Sequence, residues 1–145
     1  MDRMSADPRL ELLPHRPPMR LVEEIVEVVP GQFARARRAT RTDDWFFQGH
    51  FPDGPVVPAI VLVELLAQTG GFAACSDAAS HLAAKRLRVA ALGGFKFPGA
   101  AIPPAMLEAT ARVAGRMGGM IKIEGEVTAD GVRVAAGSLT LAEVG

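Results

Sequence analysis

The strongest constraint in this sequence is an apolar segment from Ala59 to about Cys75 that contains a single carboxylate, Glu64. The segment follows Pro58, and proline is well tolerated at the first position of a helix. A helix that is apolar on every side has to be buried on every side. In a chain of 145 residues, a sheet curled around the helix is the arrangement that provides this burial.

Two β-like segments precede the predicted helix and four follow it. Met19 to Val29 and Gln32 to Thr40 flank the turn signal Pro30-Gly31 and are predicted to form a hairpin. The later strands are predicted at Leu87 to Phe97, Met106 to Val113, Met120 to Thr128 and Val132 to Leu141. Gly118-Gly119 and Asp130-Gly131 mark tight turns between the last three. We therefore predict an α+β fold in which residues 1–145 form one domain, with a curled antiparallel β-sheet around a long central helix.

Charge and cysteine content exclude several classes of function. Lys plus Arg and Asp plus Glu are equal at 16 each, which argues against bulk nucleic-acid binding. The single cysteine, Cys75, cannot form an intramolecular disulfide, and this indicates a reducing compartment. Since no apolar run is long enough to span a bilayer, we expect a cytoplasmic protein with no membrane partner. No His, Cys or carboxylate cluster has metal-ligand spacing, so neither a metal nor another cofactor is predicted.

Glu64 is the most informative residue for chemistry. Burial penalises an unpaired carboxylate, so its side chain has to be paired, hydrated or protonated. Desolvation raises the pKa of a carboxyl group, and a neutral carboxylic acid donates a proton at neutral pH. Gln68 lies four residues later on the same helix face, where it is placed to bond and orient Glu64. The alternative is that Glu64 pairs with an arginine or reaches solvent.

His50 is the candidate base. It lies in Gly49-His50-Phe51-Pro52, within a loop from Thr42 to Val57 that is rich enough in aromatic residues to pack inward and shape a cavity. A neutral imidazole in an apolar loop acts as a general base near neutral pH, although a lone loop histidine is often structural. His15, flanked by prolines, is predicted to make a structural hydrogen bond, and His81 to be solvated.

The start of the predicted helix adds a third element. The backbone N–H groups of Ala59 and Ile60, together with the helix dipole, form a site for a developing oxyanion. A base, an acid and an oxyanion site within one short stretch suit proton abstraction beside a thioester carbonyl, followed by loss of a β-hydroxyl.

Three runs in this region resemble the signature of a known family. They are Phe46-Phe47-Gln48-Gly49-His50-Phe51-Pro52, Pro55-Val56-Val57-Pro58 and Leu62-Val63-Glu64-Leu65-Leu66-Ala67-Gln68. The signature is that of the 3-hydroxyacyl-[acyl-carrier-protein] dehydratases of type II fatty-acid synthesis. Leu13-Pro14-His15-Arg16 resembles the opening motif of the same family, and the resemblance covers roughly Leu12 to Leu141.

The resemblance implies a hotdog fold, in which a curled sheet wraps a long helix. It implies that His50 is the catalytic base and Glu64 the acid, and that the two meet across a dimer interface. His50 would remove the α-proton of a (3R)-hydroxyacyl thioester, backbone N–H groups at the helix start would hold the enolate oxygen, and Glu64 would protonate the departing hydroxyl. The product would be a trans-2-enoyl thioester. The implied substrate-binding residues are Gly49, Phe51, Pro58, Ala59, Ile60, Gln68 and Phe46, of which Phe46, Phe51 and Ile60 would line an apolar acyl tunnel.

The implied partner is acyl carrier protein, which carries the acyl-phosphopantetheine substrate. The implied assembly is a homodimer or a trimer of dimers. Since acyl carrier protein is acidic, several arginines are candidates for docking it, although each is as readily interpreted as an ordinary solvated charge. They are Arg16, Arg20, Arg35, Arg37 and Arg38.

Some positions depart from the family pattern. Ala59 and Pro104 stand where the family usually has glycine, Val57 stands where methionine is common, and the chain has no tyrosine. These departures favour a divergent member that serves a specialised polyketide, polyene or lipid pathway. Two other functions stay open: a hotdog acyl-thioesterase that directs water at the carbonyl, and a non-catalytic subunit that binds the acyl carrier.

Overall fold

The computed structural model describes residues 7–50, 53–75 and 87–143. This part of the chain contains one α-helix, two short 3-10 helices (Pro8–Leu12 and Trp45–Phe47) and one sheet of six strands. The helix is α1 (Ala59–Ala74), and the strands are β1 (Glu24–Val29), β2 (Phe33–Ala39), β3 (Leu87–Lys96), β4 (Met106–Met117), β5 (Met120–Ala129) and β6 (Val132–Glu143). The strand order is β1-β2-β4-β5-β6-β3, and every neighbouring pair is antiparallel.

The predicted elements are confirmed, but β1 begins later than predicted and β4 continues past Val113 to Met117. Gly118 and Asp130-Gly131 adopt positive φ in the two turns where the sequence predicts them. β1 begins at Glu24 and not at Met19. The reason is that the N–H groups of Leu21 and Val22 donate to the side chain of Gln68 on the helix. This stretch is therefore bonded to α1 before the chain enters the sheet.

Small residues set the spacing between α1 and the sheet. On the inner face, Ala34 pairs with Ala111 and Ala36 with Ala109 across β2 and β4, and all four side chains are buried. On β5, a Cβ at Gly125 would lie 2.9 Å from the Cδ1 of Leu66 on the helix. Short side chains beneath the helix let its large apolar residues reach the sheet, which produces one continuous core.

The first turn of α1 is not buried on every side, and here the sequence prediction is wrong. Ile60 is 78% exposed, whereas Leu65 and Leu66 are fully buried. Pro58 caps the helix from outside, and Ala59 occupies the first helical position that the sequence assigns to Pro58. Half-buried Glu64 therefore lies at the boundary between an open helix end and the core. No helix in the described ranges is long and apolar enough to cross a membrane.

Candidate active site

The carboxylate of Glu64 receives two hydrogen-bond donors on one oxygen. The Nε2 of His15 lies 3.2 Å from Oε2, and the Nε2 of Gln68 donates to the same atom at 2.9 Å. Gln68 is itself fixed, because it is 1% exposed, accepts from the N–H of Leu21 at 2.8 Å and donates to the carbonyl of Met19 at 2.8 Å. The predicted orientation of Glu64 by Gln68 agrees with this geometry. The sequence did not reveal that His15 bonds the same carboxylate.

The pKa of Glu64 distinguishes between the two possibilities that the sequence leaves open, a neutral acid and a paired carboxylate. Burial of the carboxyl group raises its pKa, but hydrogen bonds from His15 and Gln68 and the charge of His15 lower it by more. The net pKa therefore lies below the ordinary value of 4.5. Within a single chain the paired, ionised form of Glu64 is therefore favoured, with His15 as the partner and not an arginine.

Glu64 lines two cavities of about 200 Å³ each. The outer cavity adjoins the exposed end of the helix, and its other lining residues are apolar: Met19, Leu21, Trp45, Ile60 and Val61. The inner cavity lies between α1 and β3 and is lined by His15, Gln68 and Arg88, among others. The carboxylate therefore borders apolar walls on one side and fixed polar groups on the other.

His50 lies in the loop before α1 and lines neither of the two Glu64 cavities. Gly49 precedes it with φ of +73°, a conformation that favours glycine, and the N–H of His50 donates to the carbonyl of Phe47 at 3.1 Å. The imidazole is half-buried. His50 and Glu64 share no cavity within the described part of one chain, so their predicted meeting across a dimer interface stays a prediction.

A buried ion pair attaches this loop to the sheet. Arg38 on β2 is only 7% exposed, and its guanidinium bonds the carboxylate of Asp44 and lies 5.5 Å from the ring centre of Phe46. Asp44 and Phe46 belong to the loop that continues to His50. Arg38 is thus a structural residue, and the prediction that it docks an acidic partner is wrong.

The other predicted docking residues already have ion-pair partners. Arg35 and Arg37 lie on the outer face of β2 and pair with Glu27 and Glu108 respectively. Arg16 pairs with Glu11, and Arg20 lies 3.8 Å from the same carboxylate. A partner that binds these arginines has to compete with the existing carboxylates.

The start of α1 retains the predicted oxyanion donors. Pro58 accepts from the N–H groups of Val61 and Leu62, whereas those of Ala59 and Ile60 have no acceptor within the described ranges. Both residues are exposed beside the outer cavity. Phe46 is buried in the core and Ile60 lines the outer cavity, and their predicted place along an acyl tunnel stays a prediction. Phe51 and His81 lie outside the described residues.

Comparison with known proteins identifies the class and then the family. A solved structure described as the dehydratase heterocomplex ApeI:P from Xenorhabdus doucetiae has a TM-score of 0.78 and 17% identity, and the match covers 94% of this chain and 91% of that one. The fold is therefore of the hotdog class, as predicted. A family model described as a FabA-like domain matches residues 13–138, so the chain belongs to the FabA-like family.

Two curated relatives are each named 3-hydroxyacyl-[acyl-carrier-protein] dehydratase FabZ. The relative from Myxococcus xanthus is 35% identical over 128 residues, which are 88% of this chain and 84% of the relative. The relative from Polynucleobacter asymbioticus is 35% identical over 133 residues, which are 92% of this chain and 88% of the relative. The family resemblance seen in the sequence is confirmed.

Proposed function

We propose that the chain removes water from (3R)-hydroxyacyl chains carried on acyl carrier protein, with His50 and Glu64 as the catalytic pair. The observation that carries this proposal is an ionised, half-buried carboxylate between two cavities, at the helix end where oxyanion donors are exposed. The enzyme class and the dehydration reaction are confirmed by the relatives named for it. The roles of the two residues are the finer proposal.

The lowered pKa of Glu64 fits this reaction when the pair shares one proton. With Glu64 ionised and the imidazole of His50 protonated, the pair is ready to hydrate an enoyl thioester: Glu64 takes a proton from water and His50 delivers one to the α-carbon. Dehydration is the reverse, in which His50 accepts the α-proton and Glu64 returns a proton to the departing hydroxyl. The N–H groups of Ala59 and Ile60 hold the thioester oxygen as charge develops.

A second copy of the chain would bring His50 to Glu64. Among the described strands β3 is an edge strand whose one partner is β6, and both its faces are largely exposed, including Leu92 at 59%. A long, apolar, unpaired edge is a template for another strand. The opposite edge, β1, is shorter and carries two glutamates. We propose a homodimer in which β3 pairs with the partner's β3 and the partner's His50 completes the site.

The first experiment follows hydration of trans-2-enoyl thioesters of several chain lengths by loss of enoyl absorbance. Wild type, His50→Ala and Glu64→Gln are compared on acyl carrier protein and on a small thiol carrier. We expect each variant to lose about 10²- to 10⁴-fold in rate while folding and assembly are retained. Binding of the acyl carrier without turnover would favour a non-catalytic subunit, and release of free thiol would favour a thioesterase.

Mixed dimers test whether the site is shared between subunits. In a hybrid of His50→Ala and Glu64→Gln chains, one site combines two intact residues and the other combines both substitutions. Random mixing should therefore restore about a quarter of wild-type activity, since half of the dimers are hybrids with one working site of two. No recovery in proven hybrids would place both residues in the same subunit and contradict the proposed geometry.

A further inference from the structure

Both donors on Glu64 converge on Oε2 and leave the other oxygen unoccupied. His15 and Gln68 bond Oε2, and Oε1 accepts no hydrogen bond within the described ranges. A carboxylate held at one oxygen can present the second to substrate in a fixed direction. The three groups come from two places, because Gln68 is on α1 with Glu64 whereas His15 belongs to the segment that precedes β1.

The segment that carries His15 is packed against the helix. Leu13 is buried, and a Cβ placed at Gly71 of α1 would lie 3.1 Å from its Cδ2. The guanidinium of Arg16 bonds the carbonyls of Leu13 and His15, each at 2.8 Å. These contacts fix the backbone on both sides of His15. The position of the His15 imidazole beside Glu64 is therefore set by how this segment packs on the helix.

The surroundings of Nδ1, the second ring nitrogen of His15, favour a hydrogen-bonding role for this residue over proton transfer. Its Nδ1 is buried and has no hydrogen-bond partner among the described residues. Nε2 is therefore the ring nitrogen that has a polar neighbour in the described structure, and that neighbour is the carboxylate of Glu64. The described surroundings suit a donor to Glu64 and offer no onward route for a proton.

We propose that His15 is a positioning residue for the dehydratase reaction, holding Oε2 of Glu64 so that Oε1 faces the β-oxygen of the acyl substrate. The inference rests on the proposed function, since it assigns His15 a role through Glu64. His15 does not touch the substrate in this scheme. It differs from Gln68 in that it ties the helix carboxylate to a separate segment of the chain.

The ionisable side chains that share the inner cavity with Glu64 come from two other parts of the chain. His15 and Arg88, from the segment before β1 and from β3, line the inner cavity with Glu64. The residues lining the outer cavity include no other ionisable group, and the partner's His50 would join it in the proposed dimer. Burial raises the pKa of Glu64, and the hydrogen bonds from His15 and Gln68 lower it. Removing the His15 side chain removes one of the lowering interactions, so the pKa of Glu64 should rise.

The test compares wild type, His15→Ala and His15→Gln in hydration of a trans-2-enoyl thioester on acyl carrier protein. We expect His15→Ala to lower kcat about tenfold or more, the size of one hydrogen bond to a charged group, with little change in KM. The acid limb of the pH profile should move to higher pH. His15→Gln, which can place an amide N–H near the position of the imidazole Nε2–H, should recover most of kcat. A folded, dimeric His15→Ala with unchanged kcat and acid limb would overturn the proposal.

A second measurement does not depend on activity. Carbon NMR follows the titration of the Glu64 carboxyl, assigned by its disappearance in Glu64→Gln. We expect a higher pKa in His15→Ala and a value closer to wild type in His15→Gln. If no enoyl thioester is hydrated but the pKa moves as expected, the proposed reaction fails and the His15 contact stands. If the enzyme is active and the three titrations coincide, the positioning role fails.

Discussion

Glu64 and His50 are held in place by different kinds of interaction. Glu64 lies on a regular helix, and the side chains of His15 and Gln68 donate to its carboxylate. His50 lies in a loop that is attached to β2 through the buried ion pair between Arg38 and Asp44. A helix position is fixed by repeated backbone hydrogen bonds, whereas a loop position depends on a few side-chain contacts. A single substitution should therefore displace His50, the proposed base, more easily than it displaces Glu64.

The largest effect is expected at the loop anchor. Arg38→Met leaves the carboxylate of Asp44 buried and partly unpaired, although the N–H of Arg41 still donates to it at 2.7 Å. We expect a loss of about 3 kcal/mol in the free energy of unfolding, measured by urea denaturation. Arg35→Met is the matched control on the same strand, because Arg35 makes an exposed pair with Glu27, and it should cost about 1 kcal/mol or less.

A double variant identifies the source of that loss. Asp44→Asn in the Arg38→Met background removes the unpaired charge, so it should recover part of the stability lost by Arg38→Met. Equal losses for Arg38→Met and Arg35→Met would contradict the view that the loop depends on a buried ion pair.

These two arginines also show what could be predicted from the sequence. The helix, the strands and their turns follow from periodicity and glycine placement, which are local signals. Arg38 was misassigned to docking, although it shares strand parity with the inward-facing Ala34 and Ala36, and that signal was available. The contact of His15 with Glu64 could not be predicted in this way, because it depends on the course of a proline-rich segment with no repeating pattern.

The next effect is expected on the helix side, at Gln68. Gln68→Leu leaves the N–H of Leu21 and the carbonyl of Met19 without their partner in the described structure. We expect a loss of about 1–3 kcal/mol in the free energy of unfolding, because buried polar groups become unsatisfied. Gln48→Leu, at an exposed loop position, is the control and should change stability by about 0.5 kcal/mol or less. Similar losses in the two variants would show that the Gln68 bonds contribute little.

Gly49 allows the backbone of the His50 loop to be tested separately from its ion pair. A Cβ would meet nothing within 4 Å at either Gly49 or Gly54, but Gly49 alone of the two has positive φ. Gly49→Ala should therefore cost about 1 kcal/mol through backbone strain alone, and it should lower the hydration rate by turning His50. Gly54→Ala should cost less in both measurements. If the two variants behave alike, the turn before His50 does not constrain the base.

The smallest expected effect is the pH dependence of stability at Glu64, whose side chain is 29% exposed and partly screened by solvent. Because its folded pKa is lowered, ionised Glu64 stabilises the fold above its unfolded pKa, near 4.5, and this contribution is lost as pH falls through the folded pKa. The stability difference between wild type and Glu64→Gln should thus be constant near neutral pH and should shift against wild type in acid. A shift in favour of wild type would mean that burial dominates and that His15 and Gln68 do not hold the carboxylate in its charged form.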